Sequence, residues 1–226
     1  MNPDVGRLSA LFPRFLRKLW NRVKQSVAGL RSSEGVFTEI YRNNQWGGAA
    51  GEICSGGGSS ESAIADAYVA MVAAQARLHG FDRTVFVDLG CGDMAIGKRL
   101  IPSCEAYVGV DVVKYVVDHH QVTLGGGKVR FEHRDIVEDE LPDGDVCFIR
   151  QVLQHLSNRQ IVKILPKLRK YRHVYITEHV PSPDLFMKPN MDKVHGRGIR
   201  LDRNSGIKLT VEPFNLPDAE VALVLE

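Results

Sequence analysis

The chain carries little net charge for its length: 29 lysines and arginines against 27 aspartates and glutamates leave +2 over 226 residues. That balance gives no argument for a nucleic-acid partner, because surfaces that track phosphates need a strong basic excess. Cysteine is equally sparse. Cys54, Cys91, Cys104 and Cys147 form no CxxC pair, and no His/Cys cluster at zinc spacing accompanies them, so neither a disulfide framework nor a zinc site is expected, while a requirement for another metal stays open. No apolar run approaches the roughly 20 residues that cross a bilayer, and the N-terminus lacks the apolar core and cleavage site of a signal peptide. These absences predict a cytoplasmic protein with free thiols.

A hydrophobic share of 44% is ample for the core of one α/β domain behind an N-terminal extension. In that extension Leu8, Leu11, Phe12, Phe15, Leu16, Leu19, Trp20, Val23 and Val27 recur at helical spacing. Between Asp4 and Glu34 every charged residue is basic: Arg7, Arg14, Arg17, Lys18, Arg22, Lys24 and Arg31. A basic amphipathic helix over residues 1–33 is expected. It can dock on the domain, lie peripherally on the inner face of a membrane, or contact another macromolecule, and the pattern leaves these open. Residues 34–60, rich in Gly, Ser and Asn but interrupted by Phe37, Tyr41 and Trp46, read as a lid or substrate loop.

Residues 61–226 read as one domain. Ser60 can cap a helix that stops at Gly80. Apolar strand candidates then alternate with crossovers: "TVFVDLG", "AYVGVDV", "VRFEHRDI", "DVCFIRQ" and "HVYITEHV". Strands of this kind imply a doubly wound, mostly parallel α/β sheet covered on both faces. The final segments, "GIKLTVEPFNL" and "AEVALVLE", look like two more strands in an antiparallel hairpin, which would bring the sheet to seven.

The stretch "VFVDLGCGDMAIG" ends a buried strand on Asp88 and then breaks at Gly90 and Gly92, letting the backbone turn sharply and a ligand approach. The glycines are spaced neither as GxGxxG nor as a GxxxxGK[ST] loop, and an acid before them would repel a pyrophosphate. It suits an ammonium group. About twenty residues on, "YVGVDV" ends on Asp111, placed to accept both hydroxyls of a ribose. Asp135 in "EHRDI" closes the third strand, where it can receive the amino group of an adenine.

With these residues in order, the sequence resembles the class I S-adenosylmethionine-dependent methyltransferases, over roughly Phe81 to His179. The motifs that carry the resemblance are "VDLGCGDMAIG", "YVGVDV", "HRDI" and "DVCFIRQVLQHLS". It implies a Rossmann-like domain that binds S-adenosylmethionine through Asp88, Gly90, Gly92, Asp111, Asp135 and Ile136, with Arg150 and Gln151 as further candidates at the fourth strand's end. It is similar to bacterial enzymes that methylate oxygens of small molecules or saccharide-linked lipids. For an alcohol acceptor a base must remove a proton, and His155 and His179, after the fourth and fifth strands, are the candidates. Tyr41, Trp46, Ser55 and Glu178 are the expected substrate contacts, and Arg197, Arg200 and Arg203 are able to bind an anionic or sugar-like acceptor. A fold that binds the nucleoside without catalysing, as a scaffold or membrane-associated partner, is the alternative. A nucleic-acid acceptor is disfavoured, because "RQVLQ" stands where enzymes acting on base amino groups carry an Asn/Asp-Pro-Pro-aromatic pattern. Acceptor identity and oligomeric state stay open.

Overall fold

The computed structural model describes residues 31–57, 62–217 and 219–224, and the chain divides at Ser32 into two units, the second running from Ser33 to Glu226. The expected basic helix before residue 31 and the Ser60 cap lie outside the described residues. Among those described, no helix is long and apolar enough to cross a membrane.

The second unit is built on five strands: β1 (Val85–Leu89), β2 (Ala106–Asp111), β3 (Val129–His133), β4 (Val146–Arg150) and β5 (His173–Thr177). Their order is β3-β2-β1-β4-β5, and every neighbouring pair is parallel. Side chains alternate across the sheet as the two-residue period requires. Val87, Leu89, Val108, Val110, Cys147 and Ile149 enter one core, while Phe86, Tyr107, Phe131, Val146 and Phe148 enter the other.

Helices cover both faces. On the first, α1 (Ser33–Arg42) buries Phe37, Ile40 and Tyr41, one turn apart on a single stripe, and the later helix Asn158–Ile164 buries Ile161 and Ile164. On the second, α2 (Ser62–His79) buries Tyr68, Val72 and Ala76, joined by Leu100 from the single turn α3 (Gly97–Leu100). Helix α4 (Lys114–Thr123) splits its contribution, Val116 to the first core and Val117 to the second. Gly80 stops α2 in the left-handed region, φ 67°. The Asn158–Ile164 helix, α5, starts from a reciprocal cap between Ser157 and Gln160.

From β1 the chain winds one way to β2 and β3, then returns to place β4 on β1's other side. The connections after β1 and β4 therefore leave in opposite directions. That reversal opens a crevice at the carboxyl ends of the two strands, where doubly wound sheets hold ligands.

Two expectations change. The stretch 34–60 is not a loop throughout, because Phe37, Ile40 and Tyr41 at i, i+3 and i+4 fold its first part into α1. Among the described residues no C-terminal hairpin is present, and they hold five strands instead of seven. The buried side chain of Asn190 instead holds the first of the two segments expected there. Its Oδ1 accepts from Lys208 N (2.8 Å), and its Nδ2 donates to the carbonyls of Lys208 and Glu212 (both 2.8 Å). The chain then folds back so that Leu216 N donates to Leu209 O (2.8 Å). Main-chain groups needed for a ladder are already satisfied by one amide, and residues 219–224 join no strand.

Replacing Asn190 by alanine leaves these groups unpaired. We expect Asn190→Ala to destabilise the unit by about 1–3 kcal/mol in urea unfolding and to speed proteolysis within 205–217; unchanged cleavage there would refute the assigned role.

Candidate functional site

A cavity of about 700 Å³ opens at the crevice, within the range of small-molecule sites. Its floor is the glycine turn after β1, Asp111 and Val112 at the end of β2, and Asp135, Ile136 and Val137 beyond β3. Phe37 and Tyr41 of α1, with Trp46 and Ser55 from the following loop, form one wall. The turn after β4, from Arg150 to Leu156, and the segment around Arg197 complete it.

The glycine turn is bare because protein surrounds it. Gly90 (φ 81°) and Gly92 (φ 57°) both have left-handed backbones. A Cβ on Gly90 would stand 2.5 Å from Val152 Cγ2, and one on Gly92 would overlap Ser55 Oγ. Ser55 is bound to the same turn twice: its N donates to Asp93 Oδ2 (2.9 Å), and its Oγ accepts from Asp93 N (2.8 Å). Tyr41 Oη lies 3.1 Å from the same Oγ. Ser55 therefore ties the loop after α1 to the turn, and its hydroxyl is engaged with protein.

The three strand-end acids have different surroundings. Asp111 is buried, with Oδ2 accepting from Gly92 N (3.1 Å) and Oδ1 from Val113 N (2.9 Å). Burial raises its pKa against the pull of those backbone donors. Asp135 lies two residues beyond β3, where Oδ1 accepts from Val137 N (2.9 Å) and fixes the turn that presents Ile136. Asp88 does not line the large cavity. It faces a smaller one of about 50 Å³, which shares Ser55, Gly90, Gly92 and Arg150 with the first. Strand alternation puts Asp88 on the Tyr107 side of the sheet, and the Tyr107 hydroxyl donates to its carboxylate. Burial pushes Asp88 up to about 6, while Tyr107 and Arg150 hold it down.

The turn after β4 carries both a candidate base and its support. Glu178 is not at the cavity; its two carboxylate oxygens accept from Leu153 N (2.7 Å) and Gln154 N (3.0 Å). Burial pushes Glu178 up to about 8, against those donors and the charge of Arg200. Arg200, 2% exposed, takes the turn's other polar side. It donates to the carbonyls of Leu153 (3.2 Å), Gln154 (3.3 Å), Leu156 (2.9 Å) and Met191 (3.1 Å), and to Asn158 Oδ1 (2.7 Å). Its polar atoms are spent on this turn, and it does not line the cavity. Arg203 instead donates to Asp192 O (3.3 Å).

His155 and His179 both line the cavity. His155 Nδ1 lies 3.2 Å from the Gly196 carbonyl, which can only accept, so the neutral ring carries its proton on Nδ1 and its lone pair on Nε2. Burial, then the Lys193 charge, lowers His155 to about 4. His179 Nε2 accepts from Gln151 Nε2 at 3.0 Å. Trp46 ties the two halves of the wall, its ring centroid 5.0 Å from Tyr41 and 5.1 Å from His155. Among the described residues no three His, Cys, Asp or Glu side chains gather as a metal site.

Of the residues named from sequence, the cavity brings together Gly90, Gly92, Asp111, Asp135, Ile136, Arg150, Gln151, Tyr41, Trp46, Ser55, His155 and His179. Phe37, which the sequence marks only as an aromatic within the loop and not as a site residue, lines the cavity too, and its one-turn spacing from Tyr41 marks a shared helical face. The structural pairing of Glu178 and Arg200 with one turn has no local signal, since the partners lie more than twenty residues away.

No protein-family model matches the chain, and no curated protein does either. Several solved structures resemble it. Magnesium protoporphyrin IX methyltransferase from Synechocystis PCC 6803, with bound S-adenosylhomocysteine, aligns at 14% identity and a TM-score of 0.48 over 69% of this chain and 75% of its own. Human N-acetylserotonin methyltransferase with S-adenosylmethionine aligns at 20% identity and 0.46, over 68% of this chain and 44% of its own. The N-methyltransferase NodS from Bradyrhizobium japonicum WM9, with S-adenosylhomocysteine, aligns at 15% identity and 0.43, over 51% and 60%. All three are methyltransferases. The chain spans less than two thirds of the length of the last two, and likenesses at this level assign no acceptor.

Glu178→Gln supplies one acceptor oxygen where two N–H groups need one each. We expect a loss of about 1–3 kcal/mol in stability, measured by denaturant unfolding, with the fold otherwise retained. An unchanged midpoint would remove Glu178 from its supporting role.

Proposed function

We propose that this chain is an S-adenosylmethionine-dependent methyltransferase whose acceptor atom is a hydroxyl oxygen on a small molecule or saccharide-linked acceptor. The observation that carries the reading is buried Asp111, facing the same cavity as the Gly90–Gly92 turn and the Asp135–Ile136 pair. A carboxylate has about four lone-pair sites. Asp111 directs some of these at the backbone N–H groups of Gly92 and Val113, and its remaining capacity can accept from a ribose hydroxyl. Val112, Ile136 and Val137 provide an apolar slot for a flat base, with the Asp135 carboxylate beside it for an amino group. On the other side of the turn, Arg150 offers a charge to a ligand carboxylate. Ribose, adenine and amino-acid ends thus each find a chemically matched wall.

S-adenosylmethionine, when bound, supplies a methyl group activated by a sulfonium. The chain's own task is to hold the acceptor oxygen in line and to take its proton. His155 is suited to this because its ring is neutral at pH 7, with the lone pair placed on Nε2 by the Gly196 bond. Trp46 beside it offers a ring face on which an acceptor can stack.

Calorimetry with S-adenosylmethionine tests the first part. Wild type is expected to bind, and Asp111→Asn to bind about tenfold or more weakly, since it loses acceptor capacity. No binding by the wild type would sink the reading, and binding without turnover on any hydroxyl acceptor would favour a scaffold.

The pH profile tests the base. With His155 held at about 4, kcat/KM should stay level as pH falls from 8 to about 5 and decline only below that, where the imidazole protonates. An acid limb near 6.5, the ordinary imidazole value, would take the role away from His155.

A further inference from the structure

Three arginines line the large cavity: Arg134, Arg150 and Arg197. Arg134 Nε donates to Glu132 Oε2 (2.7 Å) and its Nη1 to the Glu140 carbonyl (3.0 Å). Arg150 places its guanidinium over the Tyr68 ring, 5.5 Å from the centroid, and shares the wall of the small cavity with Asp88. The guanidinium of Arg197 makes no hydrogen bond or ion pair with any described residue. Asp202 lines the same side, but its carboxylate sits over Gly198, 3.5 Å from where a Cβ there would be, and no ion pair joins it to Arg197.

The loop that carries this cation is fixed to the candidate base. Gly196 N donates to the His155 carbonyl (2.9 Å), and His155 Nδ1 donates back to the Gly196 carbonyl (3.2 Å). Lys193 Nζ donates to the His155 carbonyl as well (3.1 Å). Arg197 is the next residue after this clip, so its backbone cannot move away from His155 without breaking both bonds. The Trp46 ring is on the same wall, 5.1 Å from the imidazole. A proton acceptor, a flat apolar surface and an uncommitted guanidinium are thereby held along one side of the cavity. Guanidinium forks match carboxylate and phosphate oxygens in a plane, and such charge-assisted pairs are among the stronger polar contacts.

We propose that Arg197 selects the acceptor, which is a hydroxyl-bearing ring with an anionic substituent: ring face on Trp46, anion on Arg197, hydroxyl at His155. The proposal rests on the methyl-transfer reading for the fate of the hydroxyl, whereas the anion site stands on its own geometry. An aromatic hydroxy acid and a sugar acid share this chemistry.

Two matched pairs of probes separate them: 4-hydroxybenzoate against 4-hydroxybenzamide, and glucuronate against glucose. Each is titrated into the full chain by calorimetry, with and without S-adenosylhomocysteine. In at least one pair the anionic member should bind about tenfold or more tightly than its neutral partner, and the pair that does so identifies the ring. Arg197→Gln should abolish that preference while the neutral member and S-adenosylhomocysteine keep their wild-type affinities. Equal binding within both pairs, no binding by any of the four, or a preference that survives Arg197→Gln overturns the proposal. Anion preference without S-adenosylhomocysteine binding would instead refute the methyltransferase reading and leave this site standing.

Discussion

Glu178 and Arg200 hold the turn that follows β4 between one carboxylate and one guanidinium. The acid takes the turn's N–H groups at Leu153 and Gln154, and the arginine takes the carbonyls of Leu153, Gln154 and Leu156. A buried guanidinium of this kind would cost several kcal/mol in isolation, and it is tolerable here because all five of its N–H groups end on oxygen acceptors. Glu178 follows the edge strand β5, and Arg200 begins the short helical turn Arg200–Arg203. The turn at the centre of the sheet is therefore fixed by two segments that arrive much later in the chain. Val152 against Gly90, His155 in the cavity wall and the Gly196 clip all depend on where that turn sits.

Burial gives the acids and the histidine opposite linkages to pH. Asp88 at about 6 and Glu178 at about 8 lie above their ordinary values, so their contribution to stability is full below the unfolded values and is lost as pH rises through the folded ones. His155, lowered to about 4, acts the other way: the unfolded imidazole protonates near 6.5, and the native state loses stability as pH falls from there toward 4. At neutral pH the native state thus carries a cost from Asp88, ionised above its value of about 6, and from Glu178, held protonated below its value of about 8 while the unfolded carboxyl is ionised. Tyr107 and Arg150 offset it for Asp88, and the two amides and Arg200 offset it for Glu178.

The parallel core was legible because its signals are local. Short runs such as "VFVDL" and "YVGVD", bounded by turn residues, read as strands buried on both faces, and the acids that end them fall at one edge by topology. Local signals also misled. "GIKLTVEPFNL" alternates like a strand, but Asn190, some eighteen residues earlier, captures its backbone first. Phe37, Ile40 and Tyr41 have helical spacing, and the surrounding glycines and asparagines concealed it. Arg200 and Arg197 are three residues apart and look alike in sequence. Only the fold separates them, because one is sealed among carbonyls while the other faces the cavity.

The glycine turn itself has a different meaning from the one its sequence suggests. Its bareness is required by Val152 on one side and Ser55 on the other, and the acid before it is occupied by Tyr107. Two consecutive residues of the turn, Gly92 and Asp93, bond in different directions: Gly92 N reaches Asp111 at the end of β2, and Asp93 binds Ser55 in the loop after α1. One short backbone segment therefore sets the position of the floor's buried carboxylate relative to the aromatic wall. The distance between those two walls fixes what the cavity can enclose, and a side chain at either glycine would alter it.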